Sequence, residues 1–364
     1  MRPFGQIPLI RDQRELLGRF WQAASQFWFQ QKAWVAGLAA LLFIIVLLQL
    51  LVQFLLNVWN RNFFDALERR DGRALWIQAQ LFLPLAAASI FLAATSVWGR
   101  MTAQRSWREA LTRHVVERWL DKDRFRHLNL KGSENPEYRI AVDVRVATDA
   151  PIDLALAFLS SILTSITFFG VLWTVGGSID IPLFGATVTI PGYLVFAVII
   201  YSGLVTTLMI LFGRYLSAVS ERMNQTEAEF RAAVDAFPNG NSAREGGAEG
   251  MDKRQILQLK LQSVLLWWRE YCWQLVRTTL VSHSNFLFAT VVGWLLCVPK
   301  YLSGAMSLGE LTQSAAAFVV VQSAFNWLVD NYQRLSDWRS SAHRVATLLL
   351  ALDELKQEVE SPPS

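Results

Sequence analysis

The chain has 364 residues, of which 53% are hydrophobic and 18% are charged, and its formal net charge is +4. A mean hydropathy of +0.27 is higher than an ordinary soluble domain tolerates, so this composition excludes that class and makes membrane topology the first question. The basic residues follow the flanks of apolar stretches. We therefore interpret the positive charge as orienting helices and contacting anionic lipid, and we expect no nucleic-acid partner.

Residues 1–33 precede the first apolar run and carry basic side chains such as Arg11, Arg14 and Arg19. No small-residue cleavage pattern follows that run, so we expect no cleaved signal peptide. The sequence predicts a cytoplasmic, amphipathic N-terminal segment here.

Six stretches lack Asp, Glu, Lys and Arg, and each is near the ~20 residues that a helix needs to cross a bilayer. The predicted spans are 34–58, 76–98, 154–175, 193–212, 278–298 and 311–329. The resulting fold class is an all-α membrane protein with six transmembrane helices, forming a domain over residues 34–345.

Lys and Arg concentrate in the N-terminal segment, in loops 99–153 and 213–277, and at the C-terminus. The loop 176–192 has none, whereas 59–75 is an exception with four arginines. The positive-inside rule then places both termini and the two long loops in the cytoplasm. These loops carry helical patterns of their own, so we expect the spans to continue as long cytoplasmic extensions.

One such extension follows the second span. Trp107, Leu111, Val115 and Trp119 recur at three- to four-residue spacing between charged residues. This pattern predicts an amphipathic helix that packs on its neighbours.

The stretch "GSENPEYRIAVDV" (132–144) has the features of a helix start. Asn135 suits an N-cap, Pro136 suits the first helical position, and Glu137 suits the positive end of the helix dipole. Ile140 and Val144 would form one apolar face. We call residues 135–144 the capped segment.

The sequence contains no pattern for catalysis, metal or cofactor binding. Its four histidines are scattered without ligand spacing: His114, His127, His283 and His343. A phosphate-binding loop needs Gly-Lys, and this dipeptide does not occur in the sequence. We predict no catalytic or metal-binding residues and no cofactor bound by this chain.

Four stretches carry a resemblance to a known family. They are "LNVWNRNFFDAL" (56–67), "NPEYRIAVDV" (135–144), "EAEFR" (227–231) and "LGELTQSAAAFVVVQSAFNWLVDNYQRLSDWRSSAHRV" (308–345). In this order they resemble the transmembrane domain of exporter-type ATP-binding-cassette (ABC) proteins, in the branch of YddA-like half-transporters, SbmA/BacA peptide transporters and peroxisomal acyl-CoA transporters. The resemblance covers roughly residues 20–350.

This resemblance implies an ABC-exporter-type, domain-swapped homodimer in a bacterial inner membrane. It makes the capped segment a coupling helix that docks an ATPase, through Asn135, Pro136, Glu137, Arg139 and Asp143. A capped loop helix without a partner is the alternative. Glu227, Phe230 and Arg231 would begin a second inner contact.

For the transport path we select polar residues on apolar helices. Gln49, Gln53 and Asn57 share one face of span one. The second set lies in and after span six: Gln313, Gln322, Asn326, Asp330, Asn331 and Tyr332. Hydrogen bonds between helices would explain all of them equally well.

The chain departs from the family in two places. "FPNGNSAREGGAEG" (237–250) contains Pro238, Gly240, Gly246, Gly247 and Gly250, which should interrupt a helix that the family continues. The sequence ends in a predicted tail, 346–364, where relatives continue into a nucleotide-binding cassette. Either another chain supplies ATP and Mg²⁺ chemistry, or the protein works without it, or the gene is truncated.

Three functions remain open from the sequence. The first is a permease subunit that moves peptides or amphipathic small molecules, powered by a cassette on another chain. The second is a stand-alone, proton-driven peptide importer, although the nearest acids lie only at span ends: Asp153, Glu270, Glu310 and Asp330. The third is a scaffold or remnant that transports nothing.

Overall fold

The computed structural model describes residues 32–121, 136–183, 186–235 and 248–360. These residues form long helices and one β-hairpin. In chain order the elements are α1 (Lys32–Glu68), α2 (Gly72–Leu120), α3 (Pro136–Tyr138), a π-helical turn (Arg139–Asp143), α4 (Val144–Gly176), β1 (Ser178–Leu183), β2 (Ala186–Pro191), α5 (Tyr193–Asp235), α6 (Ala248–Leu302), α7 (Leu308–Phe325) and α8 (Trp327–Glu360).

Among the described residues, five helical stretches are long and apolar enough to cross a membrane. They are Ala33–Glu68, Gly72–Leu120, Pro136–Gly176, Tyr193–Asp235 and Arg254–Leu302. Their outer faces carry large apolar side chains such as Ile90, Phe91 and Ile200, which are 71%, 69% and 72% exposed. Apolar surface of this extent is what a bilayer covers, and the predicted all-α membrane fold is confirmed.

The predicted sixth span differs from the other five. Glu310, Gln313 and Gln322 make α7 less apolar, yet Ala317, Phe318 and Val321 on it are fully buried. A helix enclosed by protein does not need a lipid-facing surface. The structure also interrupts the predicted stretch 311–329, because α7 ends at Phe325 and α8 begins at Trp327.

A tight turn joins α1 to α2. Arg70 adopts a left-handed conformation with φ of 55° just after α1 ends. The Asp71 side chain then accepts hydrogen bonds of 3.0 Å from the backbone N–H groups of Arg73 and Ala74. This N-cap satisfies two of the free donors at the start of α2.

The described chain falls into two compact units. The first contains α1, α2, the capped segment, α4 up to Gly170, residues 308–313 and α8 from Asp330. Its buried core joins three helices through the side chains of Trp107, Leu111, Val115, Val144, Ala147, Ala342, Val345, Ala346, Leu348, Leu349 and Leu352. The amphipathic helix predicted after span two is thereby confirmed.

The region 346–364, which the sequence assigned to a tail, is helical as far as Glu360. Leu348 and Leu352 are fully buried in the core of the first unit. This part of the chain therefore helps to stabilise the first unit.

The second unit contains α4 from Val171, the hairpin, α5, α6 and the chain as far as Ser307, together with residues 314–329. Its hairpin was not predicted from the sequence. The strands β1 and β2 pair in antiparallel register from Ser178↔Pro191 to Leu183↔Ala186. The strands "SIDIPL" and "ATVTIP" are rich in β-branched residues, and polar and apolar side chains alternate along them, which is the period-two signal that would have identified the hairpin.

Some predictions fall on residues that lie outside the described ranges: residues 1–31, Asn135, Pro238, Gly240, Gly246, Gly247 and 361–364. On either side of the glycine-rich stretch, α5 ends at Asp235 and α6 begins at Ala248. Gly250 lies in the first turn of α6.

Candidate coupling and transport surfaces

The capped segment is attached to α8 by a buried ion pair. Asp143 is only 1% exposed, and Arg344 donates to its two carboxylate oxygens at 2.8 and 2.7 Å. The Ser341 hydroxyl donates to the same carboxylate at 3.1 Å. This carboxylate raises the pKa of Arg344 above its ordinary value, and the planar fork fixes the orientation of both side chains.

The remaining residues of this segment divide between an inner and an outer face. Pro136 is buried, and an Arg139 guanidinium nitrogen lies 3.5 Å from the Thr347 hydroxyl. Glu137 is exposed, and so is Tyr138, at 58%. Of the residues predicted to dock a partner, Pro136, Arg139 and Asp143 thus contact this chain itself.

Tyr138 was not selected from the sequence, although a signal existed. Pro136, Ile140 and Val144 recur every four residues and define the inner face. Tyr138 lies halfway between two of these positions, which places it on the opposite side of the helix. It is the large side chain that this element exposes.

A second ionic group connects α2, α4 and α8 at Asp153, one of the span-end acids noted in the sequence. Arg100 lies 3.1 Å from this carboxylate, the Gln104 amide donates to it at 2.7 Å, and Arg334 pairs with it as well. Two guanidinium groups and one amide on a single carboxylate hold the three helices together at this point.

The three polar residues predicted on one face of span one have different surroundings in the structure. The Gln49 amide donates to the Leu92 carbonyl at 3.4 Å, and the buried Asn57 amide donates to the Gln313 carbonyl at 3.1 Å. Hydrogen bonds between helices account for both residues. Gln53 is exposed.

In the second unit, the buried Gln322 belongs to a network that the sequence did not indicate. Its amide donates to the Asn285 side-chain oxygen at 3.0 Å, and the Tyr201 hydroxyl donates to the same oxygen at 3.2 Å. Asn285 and Tyr201 therefore join Gln322 as polar residues inside the membrane domain. In the sequence, each of the two is a polar side chain within an apolar run, which is the pattern that could have identified them.

The other predicted path residues lie around the break between α7 and α8. Asn326 is buried at the break, and its backbone N–H donates to the Gln322 carbonyl at 3.2 Å. On α8, Asp330 and Tyr332 are exposed, whereas Asn331 is half-buried.

The far end of α1 holds the start of α7. Asp65 accepts a hydrogen bond of 2.9 Å from the Gly309 N–H, and Glu68 accepts one of 3.0 Å from the Leu308 N–H. Arg61 pairs with Glu310 at 2.7 Å. Carboxylates at a helix N-terminus satisfy free donors and interact favourably with the dipole. We call Arg61, Asp65, Glu68 and residues 308–310 the α1–α7 clasp.

The predicted second inner contact lies where α5 runs beside α6. Glu227 accepts a long hydrogen bond of 3.4 Å from the Trp268 indole, Phe230 is half-buried, and Arg231 is exposed. Glu229 lies on the same stretch of α5, and the Lys260 ammonium of α6 lies 2.6 Å from its carboxylate and lowers the pKa of that carboxyl. The two helices are held together near this end.

Within the four described ranges, no group of three or more His, Cys, Asp or Glu side chains could hold a metal ion. The described polar residues instead form the ion pairs and interhelical hydrogen bonds given above. This arrangement can transmit a displacement between helices and can contact polar groups inside a membrane.

A family model described as ABC transporter transmembrane region 2 matches residues 27–302. The chain is 25% identical to the Inner membrane ABC transporter ATP-binding protein YddA of Escherichia coli (strain K12), over 96% of this chain and 62% of that protein. It is 22% identical to ABC transporter D family member 2, chloroplastic, of Arabidopsis thaliana, over 91% of this chain and 45% of that protein. The chain therefore spans about half the length of these curated relatives.

Proposed function

The chain belongs to the ABC transporter transmembrane region 2 family and is a multi-pass membrane protein, and from this premise we propose that it is the permease part of an ATP-driven transporter. In this proposal it moves peptides or amphipathic small molecules across a bacterial inner membrane, with both termini in the cytoplasm. ATP-binding cassettes supply the energy. The words "ATP-binding protein" in the name of the YddA relative support this choice of energy source.

The observation that carries the proposal is the attachment of the capped segment to α8. Asp143 and Arg344 fix the inner face of this segment, while Glu137 and Tyr138 remain exposed. A cassette that contacts the exposed face would move a rigid element. Because the ion pair joins that element to α8, the displacement would pass to this helix as well.

The ends of α5 and α6 offer a second contact of the same kind. Glu229 and Lys260 hold the two helices together, and Arg231 is exposed beyond them. We propose that a cassette contacts Glu227, Phe230 and Arg231 here.

We also propose that two copies pair around a central path. Gln53 is an exposed amide on α1, within the apolar run 34–58. In hydrocarbon such a group needs a hydrogen-bonding partner or water. A second copy, or a water-filled path between the two, supplies either.

The test uses the full chain in inverted membrane vesicles together with a rhodamine-labelled amphipathic peptide. We expect ATP-dependent movement of the peptide that a protonophore leaves unchanged. The double variant Glu137→Ala/Tyr138→Ala should reduce this movement about tenfold or more while the protein still inserts. The matched control is Glu109→Ala, which removes an exposed glutamate of α2 whose ion pair lies within its own helix.

Two results would contradict the proposal. Movement that persists without ATP and collapses with the protonophore would identify a proton-driven importer. Equal movement by the double variant and the control would show that the capped segment is only a loop helix.

A further inference from the structure

An apolar pocket lies between α1, α2 and α4 within the first unit. Its volume is about 330 Å³. The lining includes Trp34, Leu38, Leu42, Ala103, Trp107 and Ala155. We propose that this pocket binds an acyl chain of an anionic membrane phospholipid.

The pocket lies at the depth where the apolar parts of these helices end. On α2 the apolar run stops at Trp98 and Arg100 follows, and on α1 Lys32 precedes Trp34. Trp34 is 47% exposed. Tryptophan beside basic residues marks the level of lipid head groups, so the pocket opens at the boundary between head groups and hydrocarbon.

The chemistry of the lining selects a hydrocarbon ligand. Ala39, Ala103 and Ala155 present only methyl groups and leave space between the helices. The other lining side chains are aliphatic, aromatic or proline. Such a surface offers an acyl chain dispersion contacts, and it would leave the polar groups of a peptide or sugar without partners.

The charges beside the pocket select an anionic head group. Arg100 and Arg334 pair with Asp153, next to the lining residue Ile152. Asp149 interacts with the nearby Arg108 and Arg145.

These six side chains comprise four guanidinium groups and two carboxylates. The surplus of two positive charges attracts a lipid phosphate at the membrane surface. Arg108 is exposed and close enough to interact with Asp149, which precedes the lining residues Pro151 and Ile152, so we select its guanidinium to test the head-group preference.

The first test places the full chain in liposomes that contain phosphatidylglycerol with a photoactivatable group on its acyl chain. We expect the label on peptides that contain residues 34–43 and 151–159. Ala103→Phe and Ala155→Phe fill the pocket from two different helices and should each reduce this labelling about tenfold. The matched control is Ala94→Phe, which introduces the same side chain at an exposed position of α2. This variant should retain the labelling.

Unlabelled phosphatidylglycerol should compete for the site better than phosphatidylcholine. Arg108→Gln should weaken this preference, whereas Arg105→Gln, another exposed arginine of α2, should not. Thermal unfolding of each variant establishes that it is folded. The proposal is overturned if both pocket-filling variants label like the wild type, or if the two lipids compete equally.

Discussion

Asp143 and Arg344 are separated by 201 residues in the chain, yet they form a two-point ion pair in which the carboxylate is 1% exposed. The pair joins the π-helical turn to the middle of α8. Ser341 adds a third donor to the same carboxylate. These three contacts hold the π-helical turn against α8.

Asp143→Asn should lower the stability of the first unit. The amide cannot pair with Arg344 as a carboxylate does, and breaking a fully buried pair costs about 3–5 kcal/mol. Because Arg344 is 44% exposed, solvent screens part of this loss, and we expect about 1–3 kcal/mol. The measurement is thermal unfolding of the purified protein in detergent.

The control is Asp353→Asn, which removes the partner of Arg118. That pair also joins α2 to α8, but its side chains are 34% and 42% exposed. The control should therefore cost less than about 1 kcal/mol. Equal losses in the two variants would contradict the role assigned to the buried pair.

The part of the first unit's core that lies on α2 was predictable from the sequence, whereas the part on α8 beyond residue 345 and the direction of the Asp143 side chain were not. Trp107, Leu111 and Val115 recur with the helical period, and local spacing alone defines their apolar face. The partner of Asp143 lies on a helix distant in sequence, so no local pattern shows whether the carboxylate points to solvent or inward. Asn285 could have been selected as a polar side chain within an apolar run, but its pairing with Gln322 and Tyr201 could not, because both partners are distant in sequence.

Gly309→Ala should disrupt the α1–α7 clasp. A Cβ atom at this position would overlap the Arg61 carbonyl oxygen and the Asp65 carboxylate. The backbone would have to shift, and the Asp65 hydrogen bond to the Gly309 N–H would weaken. We expect a loss of about 1–3 kcal/mol in thermal unfolding.

Gly37→Ala is the matched control for this change. It lies inside α1, and a Cβ atom there would meet nothing within 4 Å. Alanine is the better helix former by about 1 kcal/mol, so this variant should be as stable as the wild type or more stable. A Gly309→Ala protein that gains stability in the same way would show that the clasp has room to adjust.

His114 should make stability fall as the pH decreases. Burial lowers its pKa below the ordinary 6.5, and the nearby Arg118 lowers it further. The unfolded chain therefore takes up a proton near pH 6.5, whereas the folded chain does so only at lower pH. The stability that depends on a neutral imidazole is complete above pH 6.5 and is lost as the pH falls through the lower, folded pKa.

The measurement is the apparent unfolding temperature of the wild type and of His114→Leu between about pH 8 and pH 4.5. The variant should lose part of the decline below pH 6.5, because it has no imidazole to protonate. Identical slopes in the two proteins would exclude His114 as a cause of the decline.

Asn285→Ala should weaken the second unit and reduce transport. The Asn285 oxygen accepts hydrogen bonds from both Gln322 and Tyr201, and Gln322 is 2% exposed. In the variant, the buried Gln322 amide loses its hydrogen bond to the Asn285 oxygen. Hydrogen bonds between membrane helices contribute about 0.6–1.7 kcal/mol each, so the two together predict a loss of about 1–3 kcal/mol.

Ser284→Ala is the control, because Ser284 is the exposed neighbour of Asn285 on α6. It should leave both unfolding and peptide movement unchanged. If Asn285→Ala lowers stability but not movement, the network serves only to pack helices. At a temperature where both variants are folded, a packing defect alone would not affect peptide movement. If Asn285→Ala lowers peptide movement more than Ser284→Ala does at that temperature, Asn285 also positions helices or substrate during transport.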